Sequence, residues 1–179
     1  MKIVVSTFLI LLSMTASAGP EGADLKKFLK AELKAAKKTT SQTFEMNEED
    51  RKKLKELDSA IDDKSYVFYF GRDATGKVIK ACTVSHELGK EGPLQVGICY
   101  RPDGQVETVE ILVWREDRAE GVKEPAYLSQ FKGRKASEPL RNETDVKAVS
   151  GATVSSWAVT AAVRKANFVF AKYAADKMK

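Results

Sequence analysis

Two stretches of this chain alternate between apolar and polar residues around tight turns, and no other feature constrains the fold as strongly. Ser65 to Phe70 is aromatic and β-branched, Arg72-Asp73-Ala74-Thr75-Gly76 supplies a turn, and Lys77 to Val84 alternates as a strand does. After a loop from His86 to Pro93, the runs Leu94 to Tyr100 and Val106 to Trp114 flank Pro102-Asp103-Gly104, a strong turn sequence. Two consecutive hairpins predict a mainly antiparallel, twisted sheet of about four strands.

Helical patterns surround these hairpins. Leu25, Phe28, Leu29, Leu33 and Ala36 recur at helical spacing, so Asp24 to Lys38 is expected to be an amphipathic helix with Asp24 as its N-cap. Thr39 to Thr43 reads as a polar connector, and Asn47 as the cap of a second, highly charged helix running to about Ser59. Pro125 introduces a short helix from Ala126 to Phe131 that ends at Gly133. Val154 to about Lys172 forms the last helix, with Trp157, Ala161, Ala162, Phe168 and Val169 among its apolar positions. The expected fold is α+β: a sheet packed with helices over 63–179, preceded by an N-terminal helical extension over 19–62.

Residues 1–18 read as a secretory signal peptide. Lys2 provides the positive region, Ile3 to Leu12 the apolar core, and Ala16-Ser17-Ala18 a small-x-small cleavage site. The expectation is an exported chain, periplasmic or extracellular, with no later segment of membrane-spanning length. The formal charge is +5. Much of the basic excess sits in Lys26, Lys27, Lys30, Lys34, Lys37 and Lys38, as a solvated helix face or as a dock for an acidic partner or anionic surface. The one aromatic among these lysines, Phe28, belongs to the apolar stripe of the helix, so no base-stacking series interleaves with them and no nucleic-acid role is expected. Cys82 and Cys99 form no CxxC, and with His86 alone they make a poor metal site. In an oxidising compartment they either bridge two strands or are simply buried. His86 reads as a structural or exposed loop residue, and no acid–base or nucleophilic constellation stands out.

One motif carries chemistry. Ser150-Gly151-Ala152-Thr153-Val154-Ser155-Ser156 places a small, flexible turn and a hydroxyl at the mouth of the last helix. Helix N-termini hold unsatisfied N–H groups and the positive end of the helix dipole, which suits a phosphate. Thr153 as an ordinary N-cap, with Ser155 and Ser156 in the first turn, accounts for the same residues.

SGATVSS resembles the flavinylation motif of the covalent FMN-binding domain family, which includes the C subunit of the sodium-pumping NADH:quinone oxidoreductase, the G subunit of Rnf complexes and small exported one-domain proteins. Tyr127-Leu128-Ser129-Gln130-Phe131-Lys132-Gly133 is similar to the family's F-x-x-Q-F-x-G segment. Gly89 to Val96 followed by Pro102-Asp103-Gly104 looks like its early strands. The resemblance covers roughly 65–172 and makes 63–179 an FMN-binding domain. It implies FMN joined by a phosphoester to Thr153, a turn of Ser150, Gly151 and Ala152 recognised by a flavin transferase, and Ser155 and Ser156 near the phosphate. It departs from the family at Lys147, where many members carry aspartate, with Asp145 standing two residues earlier. It departs again at Glu116 to Gly121, which keeps only the first acid and the last glycine of the family's E-T-P-G-x-G turn. Glu116 and Arg118 are the flavin neighbours expected there. The implied function is electron carriage between extracytoplasmic or membrane redox partners, haem proteins among them, rather than stand-alone enzymatic activity. The alternative is an unflavinylated binding module that docks a partner through the lysine-rich helix.

Overall fold

The computed structural model describes residues 20–179, so the expected signal peptide lies outside the described residues. The elements are α1 (Pro20–Glu32), β1 (Lys38–Glu45), α2 (Glu48–Lys55), β2 (Ser65–Arg72), β3 (Val78–Leu88), β4 (Pro93–Tyr100), β5 (Val106–Val113), the short α3 (Pro125–Leu128) and α4 (Thr153–Val169). The strands form one antiparallel meander in the order β1-β2-β3-β4-β5, which bears out an α+β fold built on successive hairpins.

The sheet has five strands, one more than the alternation predicts. Thr39 to Thr43 is not a connector but most of β1, paired with β2 from Lys38 opposite Arg72 to Glu45 opposite Ser65. Only Phe44 of this edge strand is buried, so its polar composition hides it from a search for apolar alternation. The first helix is correspondingly shorter than expected, and Asp24 lies inside it rather than at its cap. Asn47 does cap α2: its side chain accepts from the Asp50 backbone N–H at 2.8 Å, and Asp50 reciprocates on the Asn47 N–H.

Each face of the sheet carries a different layer. β2 alternates, sending Tyr66, Phe68 and Phe70 to the face covered by α4. There Tyr100 stacks on Phe170, ring centroids 4.0 Å apart, and Phe68 packs against both. α1 covers the opposite face, where Phe28 and Leu33 pack over Cys82 and Cys99. Those cysteines are directly opposite in the β3–β4 register and are joined by a disulfide. Gly97 makes this docking close, since a Cβ there would fall 2.7 Å from the Phe28 ring. Gly97→Ala should therefore cost about 1–3 kcal/mol of stability by overpacking, measured as a lower denaturation midpoint with an unchanged denaturant slope.

One polar cluster lies deep beneath α4. Lys165 is fully buried; its ammonium donates to Asp63 Oδ2 at 2.8 Å and to the His86 carbonyl, and lies 3.2 Å from Glu87 Oε2. Burial alone would raise the Asp63 pKa, but bonds from His86, Lys165 and Tyr66 outweigh it and hold the carboxyl below its ordinary value. Asp63 therefore contributes its stability above the unfolded carboxylate pKa of about 4, and that contribution is lost as pH falls through the lower folded value. Acid titration of Asp63→Asn should show a shallower loss of stability below about pH 4 than the parent protein.

Candidate functional site

The last helix begins where the SGATVSS motif ends its turn. Gly151 takes φ +78°, the left-handed region where a Cβ is strained, and nothing lies within 4 Å of where that Cβ would be. Ala152 occupies the cap position, and the helix has no side-chain cap. Thr153 is thus not the N-cap that spacing allows; it is the first helical residue, and it is exposed. Its neighbours' first-turn N–H groups point out of an uncapped, 17-residue helix, where the dipole favours an anion.

Ser155 and Ser156 divide the labour. Ser156 is buried and turned into the protein: its hydroxyl donates to the Ala152 carbonyl at 2.9 Å and accepts from the Val149 N–H at 3.0 Å. Both bonds brace the turn and engage the Ser156 hydroxyl inside the protein as donor and as acceptor. Ser155 is also buried, but its hydroxyl donates to Glu116 Oε2 at 2.6 Å. The other Glu116 oxygen accepts from the Glu91 N–H at 2.9 Å, and Glu91 in turn accepts from the Asp117 N–H at 3.0 Å. One buried carboxylate therefore ties the first turn of α4, the segment after β5 and the β3–β4 loop together. Gly89 makes room for it, since a Cβ there would lie 2.3 Å from Glu116 Oε1.

These ties enclose a cleft of about 240 Å³ lined by Glu116, Arg118, Gly151, Ala152, Thr153 and Ser155, together with Lys90, Glu91, Ala119 and Val154. Six of the eight site residues expected from sequence thus meet at one place. Ser150 and Ser156 do not line it. Lys90 and Glu91 escaped sequence reasoning because they lie far from the motif along the chain; their only signal is the Gly89 to Val96 likeness. Lys90 and Arg118 are exposed cations at the cleft. A larger cleft of about 480 Å³ lies elsewhere, between the segment after α1 and β3, β5 and Arg101. Its Glu32 already binds Lys80 at 3.0 Å and Thr108 at 2.9 Å, so its size does not make it the chemical site.

The Tyr127 to Gly133 segment buttresses the motif from beneath. Tyr127 donates to the Ser156 carbonyl at 2.6 Å, and burial pushes its phenol up to about 12, so it remains protonated at neutral pH. Gln130 clasps the Lys147 backbone from both sides, accepting from its N–H at 2.8 Å and donating to its carbonyl at 3.0 Å. Because that clasp uses backbone groups only, the Lys147 side chain is free to swing out to the Glu143 carbonyl. Asp145 caps its own turn, accepting from the Arg141 N–H at 2.7 Å.

The cleft, its braced threonine and its supporting segment all fall inside one matched region: residues 89–167 match the model of the FMN-binding domain. This segment belongs to the FMN-binding domain family. The fold agrees. The chain is similar to NqrC of Shewanella oneidensis with a TM-score of 0.56 at 17% identity, over 77% of this chain and 80% of that one. No curated protein matches the chain by sequence. The FMN-binding segment starts in the β3–β4 loop and ends within α4, so it contains every residue that lines the cleft. Among the described residues no cluster of His, Cys, Asp and Glu could hold a metal, and no helix is long and apolar enough to cross a membrane.

Proposed function

We propose that this chain is an exported flavoprotein electron carrier whose FMN is joined by a phosphoester to Thr153. The observation that carries this reading is the exposed Thr153 hydroxyl on the uncapped first turn of α4, at the rim of a cleft inside the FMN-binding segment. The residues present suit the group. First-turn N–H groups and the nearby cations Lys90 and Arg118 would hold the phosphate, and the open space beside Gly151 admits both a flavin transferase and the ribityl arm. A cleft of about 240 Å³ covers only part of a flavin mononucleotide and leaves an edge for electron exchange with a second protein. When bound, the isoalloxazine supplies reversible redox chemistry; the protein supplies attachment, orientation and electrostatics.

The tether has a physical purpose in a periplasmic or extracellular setting, where a dissociated flavin would diffuse away. Maturation requires a flavin transferase, and turnover requires redox partners, membrane-bound or haem proteins among them. The test is to export the chain in cells with an active flavin transferase. The purified protein should be yellow, bleach with dithionite and keep its colour on the polypeptide after denaturation, whereas Thr153→Val should be colourless and equally stable. A colourless parent protein beside an active transferase would reject the reading in favour of an unflavinylated binding module.

A further inference from the structure

Three large apolar side chains stand exposed among the described residues: Leu88 at 50%, Val154 at 51% and Trp157 at 42%. Two of them belong to α4, where sequence periodicity would have turned Trp157 inward. The rest of that helix is buried or half-buried, and its exposed positions are Thr153, Val154 and Trp157. The helix with the attachment hydroxyl thus shows solvent one small patch, made of that hydroxyl and two bulky apolar groups.

The patch has a definite geometry. Thr153 and Trp157 are four residues apart, which sets them on one helix face about 6 Å apart along the axis. Helical side chains lean toward the N-terminus, and this carries the indole back over the turn that bears the Thr153 hydroxyl. Val154 lines the cleft next to that hydroxyl. Any planar group tethered at Thr153 by a short flexible arm is held at high local concentration over this shelf. A separate protein or a second copy would compete for it without that advantage.

We infer that Trp157 and Val154 form the platform on which the isoalloxazine ring rests, with the indole stacked on the ring face. This rests on FMN attachment at Thr153 as proposed above. The division of the cofactor is chemically consistent. Its phosphate stays with the helix N-terminus and the cations Lys90 and Arg118, and its aromatic ring covers apolar surface that is otherwise wet. Trp157 is then a positioning residue that also sets how much of the ring remains open to a partner.

The test uses full-length protein exported with a flavin transferase, its FMN content fixed first by intact mass. At equal FMN content, folded Trp157→Leu should show severalfold stronger flavin emission than the folded parent, and unfolding in guanidinium should abolish the difference. A second measurement uses Trp114→Phe, which leaves Trp157 as the single tryptophan. Acrylamide should reach the Trp157 indole freely when Thr153→Val is added, and severalfold less in the FMN-loaded protein. Equal flavin emission from loaded parent and Trp157→Leu, with an indole equally accessible in both states, would overturn the inference. The same result in a protein that elutes as a dimer would assign the shelf to a second copy instead. Absence of the FMN mass from the parent protein would overturn the attachment itself, and this inference with it.

Discussion

Lys165→Ala should destabilise the protein by about 3–5 kcal/mol, the cost of removing one partner from a buried ion pair. The ammonium is fully buried, and truncating it strands Glu87, itself 1% exposed, and Asp63 without their shared cation. Glu87 has little to fall back on. Its Oε1 accepts from the Ala60 and Leu88 N–H groups, whereas its Oε2 has no hydrogen-bond partner and relies on the nearby ammonium. Domains of this size are stable by only about 5–15 kcal/mol, so the loss is a large share of the whole. Pairing the change with Glu87→Gln removes the stranded charge and should recover part of the stability. Equal denaturation midpoints for Lys165→Ala and the parent protein would contradict the burial and charge compensation described for this cluster.

Glu116→Ala is the second large effect. It leaves the buried Ser155 hydroxyl and the Glu91 N–H without their acceptor, and each hydrogen bond to a charged group contributes about 1.5–3 kcal/mol. The damage is local, because Glu116 ties three separate segments to the cleft rather than supporting the sheet. FMN loading should therefore fall more steeply than global stability, with the mass ratio of modified to unmodified protein as the readout. Gly89→Ala should have the same effect from the other side, since its methyl would occupy the position of Glu116 Oε1. Full loading of both variants would show that the carboxylate bracket is dispensable for the site.

The sequence made some of this architecture plain and concealed the rest for physical reasons. The two hairpins are legible because β2 alternates cleanly and Pro102-Asp103-Gly104 marks a turn. β1 is hidden because an edge strand with a single buried residue needs no apolar repeat. The Cys82–Cys99 bridge stays undecided until the β3–β4 register sets the two residues opposite each other. At the site, the motif singles out Thr153 as the expected attachment residue, but its place as first helical residue depends on Ala152 taking the cap position while Ser156 braces the turn from inside. Trp157 shows the limit of periodicity. An apolar residue at helical spacing reads as core, yet at this helix mouth the outward face is the one that bears the hydroxyl.

Attachment at a single hydroxyl can be located by peptide mapping. Tryptic cleavage after Lys147 and Arg164 releases the whole motif in one peptide spanning 148–164. In protein exported with an active flavin transferase, that peptide should gain the mass of one FMN less one water, with fragment ions locating the addition on Thr153. An unmodified peptide, or an addition located on Ser150, Ser155 or Ser156, would contradict attachment at Thr153.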